Sequence, residues 1–329
     1  MIDVDDVAPA GRTMPWDDQG TALSGEVASA DEALEQAGLA GWGLTKAPIY
    51  ARASSQDEAD RRKLVLVPGK YAVVRATDGV PLGVVGAAYR VVSNEEAFEW
   101  ADALAGAHGF GYRRAGQTTG GARVWMLMET PFRIVFPDGT TAQQYLLLWN
   151  RHDGSGAVRA VITNIRISCL NKLPLALKRA TASVSIRHTV SAEDKLAEAG
   201  RVLGRAQTAA EDAGLIAREL ISRKFSDRDW QRLVDKLVPV PATAEAGSAA
   251  TARAEEKIAT LNRLYYGPEG AEIVGTTWGA LNAMAAWDSH HSIARNTSKH
   301  SEGENLFLRR VDGVGLADRA LPLLLGRAA

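Results

Sequence analysis

The sequence predicts an α+β fold, in which an antiparallel β-meander with packed helices is followed by a mainly helical C-terminal region. Short runs of β-branched and aromatic residues succeed one another between residues 111 and 164, and only turn residues separate them. Helical periodicity of apolar residues dominates from Ser191 onward. Because strand follows strand without an intervening helix, a doubly wound parallel sheet is excluded.

Composition divides the chain into three parts. Residues 1–30 are rich in Asp, Gly, Ala and Ser and predict a flexible acidic arm. Residues 31–190 form the predicted α+β core with a basic segment over 112–190, and residues 191–329 form the predicted helical C-terminal region. The polar stretch from Asn296 to Asn305 predicts an irregular, mobile segment. The predicted C-terminal helices span 191–224, 226–237, 249–266, 271–288 and 314–327.

Two kinds of local signal place the first elements of the core. The dipeptides Pro-Gly at 68–69 and Asp-Gly at 78–79 separate β-branched runs and predict β-hairpins. Ser93 and Glu96 have the spacing of a capping box, in which the serine hydroxyl accepts from the glutamate amide. The apolar spacing after this box predicts a helix that ends near Gly109.

Five predicted strands follow this helix. Alternation in the second of them places Val124, Met126 and Met128 on one face and the odd-numbered residues on the other. Turns are predicted at Gly-Gly 120–121 and Asp-Gly 138–139. The strands are Tyr112–Arg114, Arg123–Glu129, Phe132–Phe136, Gln143–Asn150 and Ala157–Asn164.

The chain beyond the meander predicts a change of structure. Cys169, Leu173 and Leu177 recur at helical spacing and predict a helix with Pro174 in its first turn. A short strand is predicted from Val184 to His188. The junction between the last meander strand and this predicted helix, over residues 164–179, is rich in cations, which makes it a candidate phosphate site.

The net charge of −1 hides a strong polarity along the chain. Residues 1–60 carry three cations and twelve acids, a balance of −9, whereas residues 112–190 carry eleven cations and three acids, a balance of +8. A basic segment within a near-neutral protein bears on partner choice more than the total charge does. The segment predicts either a contact with nucleic acid or a solvated face that docks on the acidic arm.

Several functions are excluded by what the sequence lacks. A single cysteine, Cys169, excludes a disulfide framework and a cysteine-rich zinc site, and fits a reducing cytoplasm. No apolar run is long enough to span a membrane, and the first residues show no secretory signal pattern. No P-loop, nucleophile elbow or zinc-protease motif occurs, so we expect a cytoplasmic protein with no cofactor and no metal, and do not expect an enzyme of a common hydrolase type.

Candidate nucleic-acid ligands lie along the basic segment. Guanidinium groups on adjacent strands would hold phosphates and leave bases free to pair, and the alternative is ordinary solvent-facing strand residues. The loop that contains Asp153 could clasp a phosphate or could be a turn that the Asp153 side chain caps. The junction could seat a phosphate, or its side chains could satisfy irregular backbone. The candidates are Arg113, Arg114, Arg123, Arg133, Arg151, His152, Asn164, Arg166, Asn171, Lys172, Lys178, Arg179, Arg187 and His188.

Other reactive or aromatic residues predict structural roles. Cys169 lies in an apolar pattern and is expected in the core rather than as a nucleophile. The adjacent histidines 290–291, with Asp288 and His300, fit no familiar zinc spacing. The apolar helix around Trp278 is expected in the core rather than as a platform for base stacking.

Several linked motifs occur in order along the chain. They are WDDQG (16–20), LGVVG (82–86), YRVVSNE (89–95), NRHDGS (150–155), RISCLN (166–171), IRHT (186–189) and GTTWGALNA (275–283). With these motifs the chain resembles the phage/plasmid-like protein family, known as domain of unknown function 932, over most of its length. The resemblance implies a gene of phages, plasmids and integrated elements, and it implies no known activity. Arg151 and Lys172 stand where members often have serine and threonine, and both exchanges add a cation.

The order of elements is also similar to the core of the Rad fifty-two type of single-strand annealing protein. A capped helix, a meander turned at Asp-Gly and a basic helix carry this similarity, which is an analogy of topology. It implies a homo-oligomer that binds single-stranded DNA and anneals strands in phage or mobile-element recombination. Two alternatives stay open. One is a nucleic-acid-processing enzyme that uses His152, Asp153 and His188, and the other is a non-enzymatic interaction protein that counters host defence.

Overall fold

The computed structural model describes residues 16–17, 19–52, 63–155, 158–166, 171–173, 183–185, 192–240, 248–268, 270–298, 300–312 and 315–326. Within these residues, two antiparallel sheets precede most of the helices, and the predicted α+β class is confirmed. The strands are β1 (Thr21–Ala22), β2 (Thr45–Arg52), β3 (Leu64–Arg75), β4 (Val80–Gly86), β5 (Gly111–Thr118), β6 (Arg123–Val135), β7 (Thr141–Arg151), β8 (Arg159–Arg166), β9 (Asn171–Leu173) and β10 (Ser183–Ser185).

The helices lie on either side of the meander in the sequence. A 3₁₀ turn, Glu99–Ala101, joins the second helix to the third, and a π-helical turn, Trp287–His291, follows the seventh. The helices are α1 (Ala30–Gln36), α2 (Asn94–Phe98), α3 (Asp102–His108), α4 (Ala192–Ser222), α5 (Asp227–Leu237), α6 (Ala249–Tyr266), α7 (Thr277–Ala286), α8 (Glu302–Asp312) and α9 (Leu316–Leu324).

Four strands of the larger sheet form the predicted meander. Strands β5, β6, β7 and β8 pair in chain order, β1 extends the sheet beside β5, and β9 and β10 both pair with β8. The predicted turns at 120–121 and 138–139 separate β5 from β6 and β6 from β7. Ser93 caps α2 by accepting from the amide of Glu96, and Gly109 ends α3 in the left-handed region, so both ends of the predicted helix are confirmed.

Alternation along β6 and β7 gives the meander two buried faces. Val124, Met126 and Met128 pack with α1, α2, α3 and residues 199–209 of α4 in one hydrophobic core. Trp125 and Leu127 lie on the opposite face in a smaller cluster. The predicted division of the strand into two faces is therefore confirmed.

The C-terminal helices form a second core. Helices α5, α6, α7 and α9 pack around residues 213–220 of α4, and Trp278 of α7 is fully buried among them. The indole Nε1 of Trp278 donates a hydrogen bond of 3.0 Å to Asp138 Oδ2, which ties this core to the turn between β6 and β7. The helix around Trp278 is core, as predicted.

Strands β2, β3 and β4 form a separate antiparallel sheet. The predicted turn at 78–79 connects β3 to β4, but the predicted hairpin at 68–69 is wrong because the dipeptide lies within β3. The register of β3 against β2 moves from Leu66 opposite Tyr50 to Tyr71 opposite Pro48. Pro-Gly therefore makes a bulge here, since proline cannot donate to the ladder and Gly69 has a φ of 69°.

Two predictions at the far side of the meander are also wrong. Phe132–Phe136 is not a separate strand, because β6 continues to Val135 with one irregularity between Glu129 and Arg133. The predicted helix around Leu173 is contradicted at 171–173, where the backbone pairs with β8, and its remaining residues lie outside the described chain. In both places the hydrogen bonds of a neighbouring strand decide the local structure, and the sequence pattern does not contain them.

The polar stretch predicted to be irregular leads into α8. The hydroxyl of Ser301 accepts from the amide of Glu304 at 3.2 Å, and the carboxylate of Glu304 accepts from the amide of Ser301 at 2.8 Å. These two bonds form a capping box of the same kind as the one expected at Ser93. The spacing Ser-x-x-Glu was therefore a signal for this helix.

The described part of the predicted arm lies against the sheet. Trp16 is buried, and β1 pairs with β5 through the register of Thr21 with Ala115. A Cβ added at Gly116 would lie 2.7 Å from Gly20 Cα and 2.7 Å from Trp125 Cζ2. Glycine at 116 therefore permits the close approach of the arm, the sheet and an indole ring.

We expect Gly116→Ala to lower the free energy of unfolding by about 1–3 kcal/mol, because the added methyl group overpacks a site without space. Chemical denaturation of the purified variant measures this change. Gly106→Ala is the matched control, since this glycine lies in α3 with no atom within 4 Å of an added Cβ. Gly106→Ala should leave the free energy of unfolding unchanged or raise it slightly. Equal stability of the two variants would contradict the close approach of Gly20 and Trp125 to Gly116.

Candidate functional site

The sheet face that α4 does not cover has an aromatic floor. Trp125 of β6 lies directly opposite Trp149 of β7, and both indoles are buried. The ring of Phe307 in α8 lies 5.1 Å from that of Trp125 and 5.7 Å from that of Trp149, between ring centroids. Trp16 covers the other end of this floor at 4.9 Å from Tyr145. We call the face formed by Trp125, Leu127, Tyr145, Leu147, Trp149 and Ile165 the aromatic face.

Three arginines cross one end of the aromatic face on neighbouring strands. Arg123 of β6 lies directly opposite Arg151 of β7, and Arg159 of β8 lies directly opposite Trp149. Arg123 and Arg151 are half-buried, whereas Arg159 is exposed. We call Arg123, Arg151 and Arg159 the arginine row.

The arginine row concentrates positive charge. Like charges at directly opposite strand positions are destabilising unless an anion lies between them. Arg123 Nε lies 3.8 Å from Asp153 Oδ2, and Arg151 Nη1 lies 3.3 Å from Ser155 Oγ, to which it donates. Asp153 faces Arg123, and a guanidinium group can hold an anion such as a phosphate through two parallel hydrogen bonds, so the arginine row is a candidate anion site.

Arg159 is not among the residues that the sequence predicts as ligands. The predicted strand from residue 157 to residue 164 contains it, and alternation alone would have placed it on one face with Val161 and Thr163. The register of β8 places Arg159 directly opposite Trp149 and so brings it close to Arg123 and Arg151. No sequence pattern gives that register.

The remaining arginines of the meander contact other parts of the chain. Arg113 forms an ion pair of 2.7 Å with Glu129. Arg114 donates to the carbonyl oxygens of Asp17 and Gln19 at 3.0 Å, which fastens the arm to β5. Arg133 Nε donates to Gln143 Oε1 at 3.0 Å, at the far end of β6 from Arg123. The structure therefore brings Arg123 and Arg151 together, and it places Arg113, Arg114 and Arg133 in contacts with other residues.

His152 lies behind the sheet and not on the aromatic face. Its Nε2 lies 2.9 Å from Asn94 Oδ1, and Asn150 Nδ2 donates to the carbonyl oxygen of Ser93 at 3.3 Å. Burial lowers the pKa of His152 to about 4, although nearby carboxylates act in the opposite direction. This buried network connects the end of β7 to the beginning of α2, and it leaves the imidazole neutral near pH 7.

Asp153 has the turn geometry that one interpretation of the sequence predicts. Its Oδ1 accepts from the amide of Ser155 at 2.8 Å. A Cβ added at Gly83 of β4 would lie 2.3 Å from Asp153 Cα, so the turn packs closely on the smaller sheet. Asp153 thus supports the turn and also faces Arg123.

The predicted junction ligands fall on β8 and β9 or outside the described residues. Asn164 is buried, and its Oδ1 has no hydrogen-bond partner within the described chain. Arg166 pairs with Asn171 in the backbone register of β8 and β9, and Ile165 pairs with Lys172. Lys178, Arg179, Arg187 and His188, and also Cys169, lie outside the described residues.

The described residues contain no cluster of three or more His, Cys, Asp or Glu side chains that could bind a metal ion. Asp288 accepts from the amides of Leu316 and Ala317 at 2.9 and 2.8 Å, at the beginning of α9. His300 Nδ1 lies 3.2 Å from Thr119 Oγ1. Among the described helices, none has the length and apolar character needed to cross a membrane.

Comparison with known proteins identifies a family. The family model described as domain of unknown function (DUF932) matches residues 81–308, about two thirds of the chain. The matched range contains the meander, the arginine row and Phe307 of α8. No curated protein and no solved structure matches the chain.

The buried imidazole predicts a specific dependence of stability on pH. The unfolded chain takes up a proton near pH 6.5, but folded His152 does so only near pH 4, so the free energy of unfolding should fall as pH drops from about 6.5 to about 4. The loss from this residue is at most about 3 kcal/mol. Denaturation at several pH values measures it.

His152→Gln should show a weaker decline over the same pH range, because glutamine does not titrate. His108→Gln is the matched control, since His108 is an exposed residue in the last turn of α3. The control should keep the decline of the natural protein. An unchanged decline in His152→Gln would assign the effect to other groups.

Proposed function

This chain belongs to the family described as domain of unknown function DUF932, and from that starting point we propose that it binds single-stranded nucleic acid. The concrete form of the proposal is strand annealing in the recombination of phages or mobile elements. The arginine row at the end of the aromatic face is the observation that supports it most directly.

The spacing of the arginine row suits a nucleic-acid backbone. Arg123 and Arg151 lie directly opposite each other, and Arg159 lies opposite Trp149, two residues along β7 from Arg151, so the three arginines follow a diagonal across strands that are about 4.8 Å apart. Each guanidinium can hold a phosphate through two parallel hydrogen bonds, which a lysine cannot do. A strand that follows this line would lie beside the aromatic face, whose rings offer surfaces on which bases stack.

Annealing by this route needs no covalent chemistry. Cations neutralise the phosphates of two strands that would otherwise repel each other, and the base edges stay free to pair. An annealing protein of this type works as a homo-oligomer whose grooves join, so we propose self-assembly as part of the function. Light scattering of the purified protein with and without an oligonucleotide tests that part.

The order of elements gives the proposal a second support. The capped helix α2 precedes the meander β5–β8, as the proposed analogy with the Rad fifty-two type of annealing protein requires, but the basic helix of that analogy is contradicted at 171–173, where the chain pairs with β8. This support is an analogy of topology, and it carries less weight than the residues of the site. The proposed origin in a phage or plasmid follows from the family resemblance in the same way.

If the arginine row holds phosphates, affinity for a fluorescent single-stranded oligonucleotide should fall linearly on a log–log plot against salt, with a slope of about −0.7 per phosphate contacted. Arg159→Gln should weaken binding about tenfold and reduce the magnitude of the slope by about 0.7. Fluorescence anisotropy at several salt concentrations measures both. Arg159 is exposed, so the fold should not change.

Arg205→Gln is the matched control for this experiment. Arg205 is exposed on α4, and that helix covers the opposite face of the sheet. The control should bind like the natural protein. No binding at low salt, or equal losses in the two variants, would refute a contact at the arginine row.

A further inference from the structure

The cover of the aromatic face depends on one side chain of α8. Phe307 is buried, whereas the other residues from 295 to 309 whose exposure is described are half-buried or exposed. Leu308 is only partly buried against the aromatic face. Among the described residues from 295 to 309, Phe307 therefore makes the main apolar contact with the aromatic face, and Leu308 adds a smaller one.

A small polar latch holds the beginning of α8 to the sheet. Glu304 Oε1 accepts from the amide of Thr119 at 2.7 Å, and His300 Nδ1 lies 3.2 Å from Thr119 Oγ1. Thr119 has a φ of 57°, in the left-handed region that β-branched residues rarely adopt. The contact that closes the cover is thus made to a strained residue at the end of β5.

Within the described residues, three buried polar groups beside this latch have no hydrogen-bond partner, although one of them, Arg123 Nε, lies 3.8 Å from the Asp153 carboxylate. They are the Thr118 hydroxyl, Arg123 Nε and the Trp125 indole Nε1. Thr118 lies directly opposite Arg123, and Trp125 follows two residues later on the same face. All three can donate a hydrogen bond, and an apolar phenyl ring offers them no acceptor. Unsatisfied donors in a buried site are costly, and they indicate that a different occupant fits this surface better.

We propose that the aromatic face under Phe307 is the base-binding surface for single-stranded nucleic acid and that α8 is a displaceable cover over it. This inference rests on the proposed function and adds the surface and its regulation. A nucleotide strand would supply what the cover lacks: bases stack on Trp125 and Trp149, and phosphate and base acceptors meet the unpartnered donors. In the closed structure Phe307 occupies the place of a base.

The first test removes the phenyl ring from the intact protein. Phe307→Ala should bind a fluorescent thirty-residue oligothymidine about tenfold more tightly than the natural protein, because the uncovered state no longer has to be selected from a small population. Leu306→Ala is the matched control, since it shortens a neighbouring apolar side chain of α8 that is not part of the aromatic cluster. Thermal unfolding of both variants shows whether each remains folded.

The second test identifies the contact directly. Irradiation of the natural protein with a bromodeoxyuridine oligonucleotide should cross-link bases to the peptides that contain Trp125 or Trp149, and mass spectrometry locates the linked residue. Cross-links confined to other parts of the chain would overturn the proposed surface. A Phe307→Ala variant that stays folded and binds no more tightly than the natural protein would overturn the cover.

The outcomes separate this inference from the proposed function. Binding that Arg159→Gln weakens and Phe307→Ala leaves unchanged overturns the cover and keeps the function. Absence of binding by the natural protein and by Phe307→Ala at low salt overturns both. Tighter binding by Phe307→Ala with normal binding by Leu306→Ala supports both.

Discussion

Strands β6 and β7 carry large apolar side chains on both faces, and the positions of most other elements follow from the need to cover them. Every residue from 142 to 150 is buried. A sheet with two apolar faces needs a covering layer on each side, because large apolar side chains left in water would lose the free energy that their burial provides. On one side the layer is built from α1, α2, α3 and the first half of α4.

The two covering layers differ in strength. Helix α4 has 31 residues and a length of about 46 Å, so it covers the sheet with its first half and organises the C-terminal core with its second. Displacing it would disrupt both cores. Within the described residues, the opposite layer contains the arm at Trp16 and α8 at Phe307, and its cluster is small. Among the described residues, the cover of the aromatic face is therefore smaller than the cover that α4 helps to build on the other face.

The sequence predicted those parts of the fold that depend on local patterns. The alternation around Trp125, the capping of α2 at Ser93 and the turn at 138–139 all have short-range signals, and each was found where expected. The bulge at 68–69 and the strand β9 were missed because a partner strand decides them. For α8 a local signal was present, but the polar composition around Ser301 concealed it.

The candidate site was less predictable than the fold. Arg123 and Arg151 were proposed from charge alone, and the sequence could not show that they face each other. The sequence did not predict Arg159 because its position depends on the register of β8. It did not predict Phe307 because that residue reaches the sheet through a helix distant in sequence. Residue type shows which side chains could bind a phosphate, but long-range contacts of the chain decide which of these side chains lie close together.

The charge polarity of the chain left two interpretations, a contact with nucleic acid and a basic face that docks on the acidic arm, and the arginines of the meander differ in their relation to that arm. At β5, Arg114 lies 3.9 Å from Asp17 and donates to backbone carbonyls of the arm, as expected for a basic face that docks on the acidic segment. Arg123, Arg151 and Arg159 lie on the other three strands of the meander, β6 to β8. The described residues of the arm pair with β5, the outer strand of the meander on the opposite side from β8. Arginines that are equivalent in a count of charges are therefore divided by topology: Arg114 fastens the arm to β5, whereas the arginine row lies on strands that the described arm does not contact.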